Sequence, residues 1–181
     1  TGAAFLVAVA DQGFFDTFVL LANTGTAANQ ATVQFLIENG APVSRTYQLL
    51  PTSRTTVYAG SIPELVNRSF GIVVTFTTPG VAERAMYFGT PTFNGGHESA
   101  GVNAPSTSWF LAEGATGSFF TTFLLLANPG ATAANVTLTY LPASGAAVTR
   151  THPIPAYGRL TINLALEAPS WGDESQVART S

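Results

Sequence analysis

The chain has 181 residues, of which 46% are apolar and only 9% charged, with a net charge of −3; an average globular domain is about 25% charged. There is no lysine, and the arginines at 45, 54, 68, 84, 150, 159 and 179 are scattered, which argues against a surface built to neutralise nucleic-acid phosphates. Cysteine is absent, excluding disulfides, thiol catalysis and thiolate-held metals, and no run reaches the roughly 18 apolar residues of a membrane helix.

In chain order, alternation of apolar and polar residues predicts strands near 5–10, 14–22, 31–38, 42–50, 53–59, 69–77 and 81–88, with a weaker one at 98–103. Val33, Phe35 and Ile37 are expected to share the inner face of the third. Asn39-Gly40 is a hairpin signal. Ser61-Ile62-Pro63-Glu64-Leu65-Val66 is the one expected helical turn, with serine as cap and proline in the first turn. Residues 89–108, rich in Gly, Pro, Ser, Thr and Asn, read as a connector.

At Trp109 the pattern starts again, displaced by about 105 residues. Phe5-Leu6 returns as Phe110-Leu111, Phe14-Phe15 as Phe119-Phe120, and Phe18-Val19-Leu20-Leu21-Ala22-Asn23 as Phe123-Leu124-Leu125-Leu126-Ala127-Asn128. Asn39-Gly40 returns as Ser144-Gly145, Arg45-Thr46 as Arg150-Thr151, and Arg54 as Arg159. Val136, Leu138 and Tyr140 are expected inward, like their counterparts. Asn128-Pro129-Gly130 has the residues of a type II turn. The second copy carries counterparts of six strands, ending with a tail at 175–179, and nothing in it matches residues 80–103. The expected plan is one complete unit over 1–108 and an incomplete one over 109–181. Many short strands with turns every 8–12 residues indicate all-β sandwiches.

Candidates for chemistry are few. His97-Glu98-Ser99 holds the residue types of a hydrolase triad, but neighbours on a strand point to opposite faces and cannot bond in series. His152 stands where the first copy has Tyr47 and is read as a surface or half-buried position rather than as a metal ligand. One member of Glu83-Arg84 is expected to face inward and pair with a neighbouring strand, with Arg54 as candidate partner. Phe14-Phe15 and Phe119-Phe120 are expected to send one ring inward and one towards the junction between units. Phenylalanine, at 13 residues, outnumbers the two Trp and five Tyr that suit a sugar platform. Asn67-Arg68-Ser69 and Asn135-Val136-Thr137 match the glycosylation sequon. No catalytic, cofactor-binding or metal-binding residue is nominated, and no cofactor is expected.

Trp109-Phe110-Leu111-Ala112-Glu113-Gly114, Leu124 to Gly130, and Val81-Ala82-Glu83-Arg84-Ala85-Met86-Tyr87 followed by Gly95-Gly96-His97 together resemble a family of roughly 100-residue tandem repeats in large secreted or surface-anchored bacterial proteins. The resemblance implies immunoglobulin-like antiparallel β-sandwiches, an extracellular setting, a signal peptide already removed, and no catalytic residue. The expected role is a non-catalytic structural subunit that joins itself head to tail in a filament or surface layer by strand complementation. The opening strand Phe5-Leu6-Val7-Ala8-Val9 is the candidate donor. The competing expectations are an adhesin or carbohydrate-binding module with surface glycans as partners, and a piece of a longer surface repeat protein.

Overall fold

The computed structural model describes residues 2–8, 15–89, 94–111, 114–117, 121–142, 144–167 and 176–180, with the strands at 2–8 and 176–180 described by backbone alone. The protein is all-β. In the first copy β1 (Gly2–Ala8), β2 (Phe15–Asn23), β3 (Asn29–Ile37), β4 (Val43–Leu49), β5 (Ser53–Tyr58), β6 (Phe70–Phe76), β7 (Val81–Phe88) and β8 (Gly95–Ala100) follow in order. They form two four-stranded sheets, β1-β6-β3-β4 and β5-β2-β7-β8, whose pairings are all antiparallel.

The two sheets bury one core between them, because each strand alternates. Val19 and Leu21 of β2, Val57 of β5, and Ala82 and Met86 of β7 meet Val33, Phe35 and Ile37 of β3 and Phe70, Ile72, Val74 and Phe76 of β6. Phe35 and Phe70 pack edge to face with centroids 5.5 Å apart. β1 and β2 lie in opposite sheets, whereas the first two strands of an immunoglobulin constant domain share one. The likeness to that fold is therefore one of sandwich architecture rather than strand order.

The second copy repeats this plan in smaller form with β9 (Trp109–Leu111), β10 (Phe123–Asn128), β11 (Ala134–Pro142), β12 (Val148–Ile154), β13 (Gly158–Asn163) and β14 (Gln176–Thr180). Sheets β12-β11-β14-β9 and β10-β13 reproduce the pairings of β1 to β6. Its core cluster is small: Leu124, Leu138, Tyr140, Ile162 and Leu164. Val136, expected inward, is only partly buried against it.

Three local expectations change. Residues 61–66 form no α-helix; two 3-10 turns, Ala59–Ser61 and Pro63–Leu65, carry the chain there, and Ser61 bonds back to Tyr58 O instead of capping. The corresponding stretch of the second copy is a four-residue helix, Leu164–Glu167, which the sequence did not suggest. The turn at Asn128-Pro129-Gly130 is not type II, since Gly130 is not among the positive-φ residues. It is made by the asparagine side chain instead.

That asparagine is a bracket present in both copies. Asn23 Nδ2 donates to Ala27 O (2.8 Å) and Leu50 O (2.9 Å), and its Oδ1 accepts from Gly25 N. Asn128 Nδ2 donates to Thr132 O (2.7 Å) and Pro155 O (3.0 Å), and its Oδ1 accepts from Gly130 N. Thr52 N and Tyr157 N close the same loops onto Gly25 O and Gly130 O, each from a left-handed backbone. Asn23 is 2% exposed, so Asn23→Ala removes three hydrogen bonds made by a buried side chain and is expected to cost about 2–3 kcal/mol, against roughly 1 kcal/mol for the wetter Asn128→Ala. Hydrogen exchange on β3 and β11 measures the two losses separately; equal effects would contradict the burial argument.

Candidate functional site

The most strongly built polar contact outside the strand ladders joins the two copies. β3 ends at Ile37, and Glu38, held by its N–H to Ser69 O, projects from the outer face of the first copy. Its Oε1 accepts the main-chain N–H of Thr161 at 2.8 Å, and its Oε2 accepts Thr161 Oγ1 at 2.8 Å and Arg159 Nη1 at 3.3 Å. Thr161 and Arg159 lie on β13, an edge strand, so the carboxylate satisfies a main-chain donor that faces away from β10.

Around this contact the surfaces are apolar and close. In β3 the residues Gln30, Thr32 and Gln34 face outward, and Leu36 shares their side of the strand yet is fully buried. Leu36 pairs with Gly71 of β6, and a Cβ built on Gly71 would stand 3.2 Å from the Ala127 methyl of β10. Glycine is needed there for the approach of the second copy.

Arg159 is buried at 2% exposure, and its Nε and Nη2 have no hydrogen-bond partner among the described residues. Burial pushes it down to about 10, while Glu38 pulls the other way and Arg84 adds repulsion. For a base with a lowered folded pKa the burial cost is present in full below about 10 and is relieved as pH rises above it towards the ordinary guanidinium range. At neutral pH the junction thus holds a cation whose desolvation Glu38 offsets only in part.

The other candidates fall elsewhere. His97, Glu98 and Ser99 are consecutive on β8, opposite Met86, Ala85 and Arg84, and do not converge. Arg84 is the inward member of its pair, buried at 4% exposure, and its Nη2 meets His97 Nδ1 on the neighbouring strand β8. Arg54, its expected neighbour, is exposed on β5. His152 is half-buried, with Nε2 3.2 Å from Glu167 Oε2. Among the described residues no three His, Asp or Glu side chains gather as a metal group. Asn67 and Asn135 are both exposed. Phe15 packs on the first core and against Phe88, while Phe14, Phe119 and Phe120 lie outside the described residues.

Two surface features were not foreseen. On the outer face of β5-β2-β7 the Phe18 and Tyr58 rings stack at 4.9 Å, Tyr87 meets Phe18 edge on at 5.9 Å, and Tyr58 OH donates to Asp16 Oδ1 at 2.7 Å. The second is a sheet edge. β2 lies between β5 and β7, but its counterpart β10 pairs only with β13 among the described residues. Because Thr161 N–H points away from β10, the facing Leu125 points its own N–H away from β13, towards the side where Leu20 faces Glu83 in the first copy.

No protein-family model and no curated protein matches the chain. Among solved structures, the crystal structure of Thermotoga maritima 1070 superposes with a TM-score of 0.51 at 15% identity, over 56% of this chain and 93% of that chain. The likeness is one of fold alone.

Glu38→Ala removes all three carboxylate contacts and leaves Arg159 buried beside Arg84. The expected cost is about 2–4 kcal/mol, read as earlier loss of the second copy in urea and faster hydrogen exchange at Thr161. Unchanged exchange at Thr161 would mean that the carboxylate does not hold this edge.

Proposed function

We propose that the protein is a non-catalytic, extracellular structural subunit whose sandwich repeats assemble head to tail into a fibre or surface layer. The observation that carries this reading is that β10 has, among the described residues, no strand on the side where β2 takes β7 in the first copy. An edge of that kind pairs readily with a strand of another chain, which supplies main-chain hydrogen bonds. A low charge content and a net charge of −3 leave little repulsion to oppose it, and a heterologous contact that does not close propagates. The extracellular setting is supported by the resemblance to surface repeats.

The structure changes the strand expected to be exchanged. β1 is paired antiparallel with β6 in its own sheet, and the matching position of the second copy is filled by β9 on β14. The open place belongs to a strand of β7 type, on the other sheet. That strand comes from the next subunit in a homopolymer, or from the following segment if the sequence is part of a longer surface repeat protein.

A second reading, an adhesin or carbohydrate-binding module, is favoured by the Phe18, Tyr58 and Tyr87 cluster beside Asp16, with Tyr87 42% exposed. Flat rings next to a carboxylate are suited to stacking and orienting a sugar. Retardation in polysaccharide-affinity gels that is lost in Tyr87→Ala would favour it.

For the leading reading, sedimentation and electron microscopy across a concentration series are expected to show linear oligomers. Leu125→Pro removes an N–H on the open side while sparing the β13 side, so it is expected to stop growth without unfolding the first copy. A monomer at every concentration, or growth that ignores Leu125→Pro, overturns the edge-pairing reading.

A further inference from the structure

The junction inside the chain has two unlike halves. The first copy contributes Leu36, Glu38 and Gly71; the second contributes Ala127, Arg159 and Thr161. Each half has a corresponding surface in the other copy, and the two have fared differently.

The half supplied by the second copy is present entire in the first. Ala22, Arg54 and Thr56 stand in the same register, with Ala22 opposite Arg54 and Leu20 opposite Thr56, as Ala127 stands opposite Arg159 and Leu125 opposite Thr161. β5, like β13, is the edge of its sheet. Arg54 and Thr56 are exposed, and Arg54 has no hydrogen bond or ion pair among the described residues. In Arg159 and Thr161 the same groups are bound by a carboxylate.

The half supplied by the first copy is not reproduced in the second. Leu141 keeps the place of Leu36 and is 44% exposed. Ala143 stands in the sequence where Glu38 would be. Leu141 pairs with Val177, whereas Leu36 pairs with Gly71. The sequence of the second copy thus has neither the carboxylate that Arg54 would need nor glycine in the pairing position of Gly71.

We propose that the edge formed by Ala22, Arg54 and Thr56 docks a preceding sister repeat, one that presents Leu-x-Glu at the end of its β3-type strand and glycine across from that leucine. The second copy of this chain is not that partner. The first copy of another molecule has the required face, but its own second copy covers it. The inference rests on the form of the proposed reading in which the sequence is part of a longer surface repeat protein, and deepens it by naming what stands on the opposite side from the open β10 edge. It is carried by the junction already formed within the chain, and it explains why Arg54 and Thr56 match Arg159 and Thr161 although both are exposed.

The test is a three-repeat chain, residues 1–108 joined ahead of the full 181-residue chain, with amide hydrogen exchange as readout. In the ordinary chain Thr161 N–H is expected to exchange slowly and Thr56 N–H at least tenfold faster. In the three-repeat chain Thr56 of the following repeat is expected to slow into the range of Thr161. Glu38→Ala with Gly71→Val in the added repeat, which copies the second copy's face, is expected to restore fast exchange at Thr56 while Phe35 of that repeat stays protected. Thr56 exchanging equally fast with and without the added repeat overturns the proposal, as does protection that survives the double substitution. Absence of filaments with Thr56 protected would remove the assembly reading and leave this one standing.

Discussion

The carboxylate of Glu38 fixes how one sandwich sits on the next. It accepts from a main-chain N–H, a hydroxyl and a guanidinium on a single edge strand. A sheet edge in contact with another surface needs its donors satisfied or solvated, since a buried amide without a partner costs more than a typical bond returns. Glu38 meets that need without adding a strand. Leu36 and Gly71 can then be covered by β10 and β13 with the Thr161 amide and hydroxyl both satisfied, while Arg159 Nε and Nη2 have no partner among the described residues. Charge alone would not hold this arrangement, because the Arg159 guanidinium is buried at a cost that its partner offsets only in part. The main-chain and hydroxyl bonds supply the direction.

The two copies agree where the fold needs them to and differ where the surroundings do. The asparagine bracket is matched bond for bond. So is the cross-strand threonine pair, Thr32 with Thr46 and Thr137 with Thr151, and so is the turn of Arg45 and Arg150 onto the preceding carbonyl. These contacts close loops and set register within one unit, whatever stands beside it. Glu38 and Gly71 serve only a neighbour, and the sequence has Ala143 and Val177 in the corresponding places of the second copy.

Much of this was legible in the sequence because a sandwich writes its inner face into period two. Val33, Phe35 and Ile37 alternate with Gln and Thr, and they are buried as that alternation requires. Leu36 and Leu141 break the alternation at the same place in both copies, which was the one signal of the junction; a lone outward leucine does not say what covers it. Glu38 gave no signal, since its partners lie more than a hundred residues away and a carboxylate beside a hairpin reads as solvated. Arg84 could be placed inward by parity with Ala82 and Met86, but its meeting with His97 depends on β8 pairing with β7, which no local pattern announces. The helix at Leu164–Glu167 and the 3-10 turns at Ala59–Leu65 are connectors, whose form follows from the sheets they join rather than from their own propensities.

The same pairing logic sets the first copy apart from the second in energy. A sandwich gains most of its stability from the strip buried between its sheets, at roughly 25 cal/mol per Å² of apolar area. In the first copy that strip is lined by residues of β2, β5 and β7 on one side and of β3, β4 and β6 on the other. In the second the sheet containing β10 has two strands among the described residues, and only five side chains form its buried cluster. A strand entering beside β10 would therefore gain twice, through main-chain bonds along the edge and through apolar side chains laid over Leu124 and Leu126. The copy whose β10 sheet has two strands among the described residues has most to gain from a neighbour, and the other already carries, in Arg54 and Thr56, the counterparts of the groups that bind Glu38 at the junction.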